Sequence, residues 1–329
     1  MQEGERALSV PSSIAVLTSG GDAPGMNAAL RAVVRRSVYE GIRIFGVYHG
    51  YNGLIRDEMI EMNVSSVSDI LHRGGTILRT ARSAEFMTSA GRDKALAALR
   101  GRGIEGLVVI GGDGSFRGAL ELMRLGFPVM GVPGTIDNDI EGTDYTIGFD
   151  TAVNTAVEAI NKVRDTATSH ERTFIVEVMG RDAGFIALAA GIAGGAEVIL
   201  VPEEGRDLRE ICRRLTSGLR RGKLHLIVVV AEGAARAYDV AAGVTSEAGL
   251  ETRVIVLGHL QRGGTPTAFD RILASRFGSA AVAALLEGRA GLMTGVRGDQ
   301  LVFPELEACL AVRKRLDPEL LKLAGILAI

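Results

Sequence analysis

The chain has 329 residues, 47% of them hydrophobic, with 37 basic against 39 acidic residues and a formal net charge of -2. At roughly 150 residues per domain this length predicts two domains, each able to bury a sizeable core. The near-neutral charge and the absence of tryptophan argue against a nucleic-acid surface and against attraction to an anionic membrane. Two distant cysteines, Cys212 and Cys309, make neither a disulfide framework nor a zinc site. The opening segment MQEGERALSV lacks the basic start and apolar run of a signal peptide. The longest bland apolar stretch, Phe185 to Ala196, is too short to span a bilayer. A soluble cytoplasmic protein is expected.

In chain order, Ser13–Leu17 is a short β-branched apolar run and predicts a strand. The turn SGGDAPG follows. Met26, Leu30, Val33, Val34 and Val38 then recur at helical spacing, with Gly41 as the stop. Ile42–Tyr48 predicts the next strand. Gly106–Ile110 opens a second unit, in which GGDGS turns the strand into a helix bearing Phe116, Leu120 and Met123. Gly126 and Pro128 end that helix, and VMGVP resumes as strand. Thr173–Gly180 opens a third unit, followed by a helix near Phe185–Ala193 and the strand EVILVPE. His225–Gly233 and Arg253–Gly264 are two further buried runs. The last segment, Leu301–Ile329, predicts a strand and a terminal helix packed on the second domain. Alternating strands and helices with continuous apolar strands imply an α/β fold with a mostly parallel sheet. Ligands then gather at the carboxyl ends of the strands, where the polar motifs fall. No linker interrupts the chain, so two domains would share a close interface and a cleft.

The turns SGGDAPG and GGDGS both join a strand to a helix, an arrangement suited to phosphate. Neither carries the lysine of a P-loop. A carboxylate can balance phosphate indirectly by holding Mg²⁺, which binds through few carboxylates, waters and substrate phosphates. Asp113 is therefore a candidate metal ligand, while a helix-capping role fits the same residue. The loop Val132–Asp150 holds Asp137, Asp139, Asp144 and Asp150. Surface turns are often Asp-rich. The functional reading needs a general base for an acceptor hydroxyl and a metal support. If this loop is extended, Thr135, Asp137 and Asp139 share one side. Arg172, Arg181, Arg253, His259 and Arg262 form a third group: arginine forks suit phosphate, and Arg181, His259 and Arg262 each follow an apolar run. His259 can equally be a satisfied histidine at a strand end. The chemistry so far is phosphoryl transfer from a metal–polyphosphate to a phosphorylated acceptor.

Seven stretches carry a resemblance: TSGGDAPGMNAALRAVVR, HGYNGL, RGGTIL, VVIGGDGSFRGA, PGTIDNDIEGTDYTIGFDTA, VEVMGRDAGFIALAAGIAGGAE and VLGHLQRGGTPTAFDRILASR. In this order the chain resembles the bacterial ATP-dependent 6-phosphofructokinases; the last ~50 residues match poorly. The resemblance implies two Rossmann-like three-layer α/β/α domains with mostly parallel sheets and an active site in the cleft. The domains would be 1–147 plus 261–310 for ATP and 148–260 plus 311–329 for the sugar phosphate. It implies that the 1-hydroxyl of fructose 6-phosphate attacks the γ-phosphate of ATP, a glycolytic step, with Mg²⁺ as cofactor. Asp137 would be the base, with Thr135, Arg181 and Gly20 also catalytic. Gly21, Tyr51, Arg82, Ser83, Gly112, Asp113, Gly114 and Ser115 would bind ATP, and Asp113 and Asp139 would support the metal. Thr135, Ile136, Asp137, Met179, Gly180, Arg181, Glu232, His259 and Arg262 would bind the sugar phosphate. Arg172 and Arg253 would reach it from a neighbouring subunit, making a homotetramer.

Arg31, Arg35, Arg164, Glu197, Arg221, Lys223 and His225 match the family's allosteric effector site. Val64 and Leu224 stand where relatives carry cations, so weak effector responses are expected. Gly114 and Gly134 leave room for ATP, where pyrophosphate-using relatives typically carry aspartate and lysine. A pyrophosphate-dependent enzyme and a non-catalytic nucleotide or sugar-phosphate sensor are the alternatives. NAD kinases and lipid kinases share GGDG but also carry an Asn-Asn-Glu motif, and this chain has no Asn-Asn pair.

Overall fold

The computed structural model describes residues 11–170, 172–205 and 207–328; the MQEGERALSV segment lies outside them. The chain divides into two compact units. The first comprises the described residues of Met1–Thr135, Ile140–Gly148 and Gly263–Arg313. The second comprises those of Ile136–Asp139, Phe149–Arg262 and Lys314–Ile329.

The strands in chain order are β1 (Ser13–Thr18), β2 (Arg43–Val47), β3 (Met59–Met62), β4 (Gly106–Gly111), β5 (Val129–Pro133) and β6 (Thr173–Val178). They continue with β7 (Val198–Leu200), β8 (Leu226–Ala231), β9 (Thr252–Val256), β10 (Leu292–Met293), β11 (Gly295–Arg297) and β12 (Gln300–Val302). The longer helices are α1 (Met26–Tyr39), α2 (Gly50–Ile55), α3 (Ser89–Gly101), α4 (Asp113–Arg124), α5 (Phe149–His170) and α6 (Phe185–Ala193). After these come α7 (Leu208–Arg220), α8 (Ala237–Ala248), α9 (Ala268–Leu286), α10 (Leu306–Ala311) and α11 (Pro318–Leu327).

In the first unit a six-stranded sheet runs β10-β5-β4-β1-β2-β3. Its pairs are parallel except for β3, which returns antiparallel to β2. β1, β4 and β5 are buried along their whole length, as strands covered by helices on both faces must be. Phe45, Phe116, Leu122, Phe127 and Val129 form much of the core on one side. In the second unit a four-stranded, all-parallel sheet runs β7-β8-β6-β9. Ile175, Val198, Val228, Val230, Leu215, Val240 and Val244 pack its core.

Two expectations change, and one helix was not anticipated. The run Arg253–Gly264 is not a buried strand: β9 is the sheet edge, half-exposed, and a 3₁₀ turn over Gly258–Arg262 follows it. The Asp-rich loop feeds a 22-residue helix, α5, whose buried face is Ala152, Ala156, Ile160, Val163 and Ala167. Alanine carries much of that stripe, which weakens its apolar signal. The C-terminal segment holds β12 and two helices rather than one, and the last helix, α11, packs on α6. Among the described residues, no helix is long and apolar enough to cross a membrane.

Candidate active site

The register of β1 on β4 places Thr18 opposite Ile110, so the two glycine turns leave the sheet side by side. Ser19 N donates to Ile110 O at 3.0 Å and ties them together. A Cβ on Gly111 would stand 2.5 Å from both Ser19 O and Ser115 Oγ, so only glycine fits this crossing. Gly20 and Gly114 are exposed, while Gly21 and Gly112 are half-buried. Ser115 is buried, and its Oγ has no hydrogen-bond partner among the described residues. A buried hydroxyl left unpaired beside two glycine turns is a donor in want of an acceptor.

Asp113 does not cap α4. The cap position is Gly112, and Asp113 is the first residue of the helix, where a negative charge is favoured by the helix dipole. Arg117, one turn on, grips its carboxylate with Nε at 3.0 Å and Nη2 at 3.3 Å. Gly114, next along, has nothing within 4 Å of a Cβ position. A Cβ on Gly134 would meet Ile110 and Met26 side-chain atoms at 3.2 Å.

Tyr51 lies beneath this turn. Its ring stacks on Phe86 at 4.1 Å and its hydroxyl donates to Ser115 O at 2.6 Å. Burial pushes its phenol well above the ordinary tyrosine range. Tyr51 therefore supports the start of α4 rather than presenting a face to solvent. Arg82 is exposed, and its carbonyl accepts from Asn52 Nδ2 at 3.0 Å. Ser83 Oγ accepts from Phe86 N at 3.2 Å.

The loop after β5 is not extended. Asn138 adopts a left-handed conformation, φ 54°, so Thr135, Asp137 and Asp139 do not alternate along a strand-like segment. Thr135, Ile136 and Asp137 are buried, and Asp139 is half-buried. Asp137 Oδ2 lies 3.5 Å from Arg181 Nε. The Asp137 side chain is 2% exposed against 55% for Arg181. The carboxylate is thus withdrawn from water while the guanidinium stays half-exposed.

In the second unit, Met179, Gly180 and Arg181 follow the carboxyl end of β6, and Glu232 follows β8 beside it. Glu232 Oε1 accepts from Gly180 N at 3.2 Å and Arg181 N at 2.9 Å. Gly233 admits no side chain, because a Cβ would strike Arg181 O. These contacts hold Arg181 in its left-handed conformation, φ 52°. His259 is exposed and Arg262 half-buried, both in the turn after β9.

Arg172 and Arg253 stand elsewhere. Arg172 precedes β6, and Arg253 is paired with Phe174 near the start of the same strand. Six residues of β6 separate this rim from Met179, about 20 Å at ~3.3 Å per residue. The structure brings both arginines together on Glu251, not on the cluster around Arg181.

The expected effector residues of the second unit collect near the amino-terminal rim of its sheet. Lys223 Nζ is 3.1 Å from Glu197 Oε1, and His225 Nδ1 is 3.0 Å from Thr168 Oγ1. Arg164 bonds the Gly194 carbonyl, and Arg221 bonds Ser217 Oγ at 2.7 Å. In the first unit, Arg31 and Arg35 lie one turn apart on α1, where burial and then Arg35 lower the Arg31 pKa. Val64 and Leu224 are exposed.

Sequence reasoning passed over the amides that hold these loops. Buried Asn27 donates to Arg73 O and Gly74 O and accepts from Ile77 N, fixing the RGGTIL stretch. Thr80 Oγ1 then donates to Gly20 O at 2.6 Å. Fully buried Gln261 accepts from Met179 N at 2.8 Å and donates to Ala152 O at 3.3 Å. Asn27 lies in the TSGGDAPGMNAALRAVVR stretch and Gln261 in HLQRGG, but nothing in the spacing marked them as braces.

The raised Tyr51 pKa has a signed consequence. A phenol whose folded value exceeds its unfolded value of about 10 contributes stability that is intact below pH 10 and lost as pH rises above it. Tyr51→Phe should cost about 1 kcal/mol at neutral pH and flatten the loss of stability above pH ~10. Denaturant titrations at pH 7 and at alkaline pH measure both effects; an unchanged alkaline slope would contradict the assignment.

The phosphofructokinase family model matches residues 13–285. An ATP-dependent 6-phosphofructokinase of Brevibacillus brevis is 60% identical over 96% of this chain and 99% of its own length. One of Bacillus subtilis is 55% identical over the same shares. A solved phosphofructokinase from Saccharomyces cerevisiae aligns with a TM-score of 0.86 at 39% identity, over 91% of this chain. The chain spans 45% of the length of that yeast protein. A pyrophosphate-dependent phosphofructokinase from Marinobacter aquaeolei aligns with a TM-score of 0.84 at 26% identity, over 94% of this chain and 86% of its own. On this similarity and on the paired glycine turns above, the chain belongs to the phosphofructokinase family.

Proposed function

We propose that the protein transfers the γ-phosphate of ATP to the 1-hydroxyl of fructose 6-phosphate, giving fructose 1,6-bisphosphate and ADP, with Asp137 as the base. The observation that carries this reading is the Asp137–Arg181 pair: a buried carboxylate 3.5 Å from a half-exposed guanidinium. The Asp137 carboxylate accepts the 1-hydroxyl proton as that oxygen attacks the γ-phosphorus. The bond from the γ-phosphorus to the β,γ-bridging oxygen breaks, and ADP leaves. Arg181 neutralises charge on the phosphoryl group in flight, together with Arg82 and the backbone at Gly20. Thr135 and Ile136 position the acceptor beside Asp137.

The glycine turns of the first unit take the nucleotide, with Gly21, Gly112, Gly114 and Ser115 against its phosphates. The free Ser115 hydroxyl and the open space at Gly114 support that placement. Mg²⁺ fits Asp113. Among the described residues, no cluster of three or more metal-ligating side chains exists. A single carboxylate at the start of α4 suits an ion that keeps most of its shell for water and phosphate. Asp139 supports it. The ion would supply charge neutralisation along the polyphosphate. Met179, Gly180, Arg181, Glu232, His259 and Arg262 hold the sugar phosphate.

For Arg172 and Arg253 to take the sugar phosphate, they would have to come from a second copy of the chain. They stand about 20 Å along β6 from the Arg181 cluster, so one subunit cannot close both ends on one sugar phosphate. A homotetramer in which they complete a neighbour's site, acting in the cytoplasm on soluble metabolites, accounts for that separation. No nucleic acid or membrane partner is needed. A sensor without chemistry has no use for the retained Asp113, Asp137 and Arg181 together.

Donor choice rests on Gly114. A coupled assay with fructose 6-phosphate and Mg²⁺ should show turnover with ATP and not with pyrophosphate. Gly114→Asp should keep its fold, because the Cβ site is open, yet lose about 10²-fold in ATP-supported rate. Turnover with pyrophosphate alone, or an unimpaired variant, would overturn the donor assignment.

Effector control should be weak. Exposed Val64 and Leu224 remove two cations from a polyanion site, each charge-assisted contact being worth roughly 1.5–3 kcal/mol. ADP activation and phosphoenolpyruvate inhibition, measured as shifts in the fructose 6-phosphate saturation curve, should be smaller than is usual for the family. A strongly sigmoidal, effector-sensitive curve would contradict this.

A further inference from the structure

At the amino-terminal rim of the second sheet, one carboxylate oxygen serves two arginines. Glu251 Oε1 lies 3.1 Å from Arg172 Nε and 2.6 Å from Arg253 Nη2. Arg172 immediately precedes β6 and Arg253 lies in the adjacent β9, whose register on β6 sets Thr173 opposite Thr252. Like charges this close repel, and both long side chains would otherwise sweep through solvent. Glu251 is itself anchored: Thr173 N donates to its carbonyl at 3.2 Å. Leu226 N donates to the Arg172 carbonyl at 3.4 Å, so the Arg172 backbone is tied to β8 as well.

Glu251 approaches Arg172 at its buried Nε, as an ion pair rather than a hydrogen bond. The Arg172 side chain keeps 30% of its surface exposed. Arg253 gives Nη2 to Glu251 and Nη1 to its own neighbour's carbonyl, Thr252 O, at 3.2 Å. Two of its nitrogens are thus engaged, although the side chain is 50% exposed.

We infer that Glu251 is a positioning residue for sugar-phosphate binding: it holds Arg172 and Arg253 converged as one preformed receptor for a phosphate dianion. This rests on the reading above, that these two arginines take the phosphate of the acceptor in a neighbouring subunit. Preorganised forks lose less freedom when the anion arrives, so the effect falls on affinity and not on the chemical step. The carboxylate does not compete successfully, because it uses the Nε edge of Arg172 and leaves the bidentate edge to the ligand.

The test is steady-state kinetics of the intact oligomer for Glu251→Gln, Glu251→Asp and Arg253→Ala, with sedimentation and thermal melting as controls on assembly. Glu251→Gln should raise KM for fructose 6-phosphate about fivefold or more, leave kcat within about twofold and leave KM for ATP unchanged. Glu251→Asp, which keeps the charge, should recover part of the loss. An unchanged or lowered KM for fructose 6-phosphate would overturn the inference. So would a fall in kcat accompanied by lost assembly, since that marks a merely structural role. If Arg253→Ala leaves KM untouched, the arginine reading itself fails, and Glu251 with it. If Arg253→Ala raises KM while Glu251→Gln does not, the reading stands and only Glu251 is excluded.

Discussion

The parallel register of β1 against β4 is the constraint from which the two glycine turns follow. Ile14 pairs with Gly106 and Thr18 with Ile110, so both strands end at the same level. A slip of one residue would turn every side chain to the opposite face and put the buried run out of its core. With the register fixed, the hydrogen bond from Ser19 N to Ile110 O brings the backbones of the two turns together at Gly111. The rest is local. α4 starts at Asp113, Ser115 turns its hydroxyl inward, and Tyr51 props the turn from below through the Ser115 carbonyl.

Strand polarity does a second job in the other sheet. Everything at the carboxyl ends of β6 and β8 converges on Arg181, braced by Glu232 and by the Gln261 amide. Everything at the amino ends is a separate cluster of charge: Arg172, Arg253 and Glu251 on one part of the rim, Glu197, Lys223 and His225 on another. One sheet thus offers two chemically distinct edges about 20 Å apart. In the proposed oligomer a subunit would use one edge for its own ligand and lend the other to a neighbour. The buried Asp137 belongs to the first edge. A carboxylate almost wholly removed from water is costly to hold, and the nearby guanidinium of Arg181 offsets that cost while leaving its own head exposed.

Much of this was legible in the sequence because short polar turns after apolar strands mark the carboxyl edge of a parallel sheet. The GGDGS turn, the TIDND loop and the MGR segment all fall at such ends. What could not be read was conformation inside the turns. Thr135, Asp137 and Asp139 alternate in sequence, yet a left-handed Asn138 breaks the alternation in space. Asp113 suits a helix cap by type, yet Gly112 takes that place and Arg117 takes the carboxylate. Nor could the braces be read. Gln261 reaches Met179 and Ala152 across most of a domain, and Asn27 reaches Ile77; such amides look like any polar residue until the fold closes. The run after Arg253 was too apolar to betray that β9 is an edge strand, half open to solvent.

The claim on which the account turns is that Asp137 takes the proton of the acceptor hydroxyl. The direct measurement is kcat and both KM values for Asp137→Ser, with ATP, Mg²⁺ and fructose 6-phosphate. A general base contributes roughly 10²–10⁴-fold, so kcat should fall by about 10³-fold or more while both KM values stay within a few-fold. A kcat within tenfold of the unaltered protein, from a folded oligomer, would contradict the assignment of Asp137 and move the proton acceptor to another group.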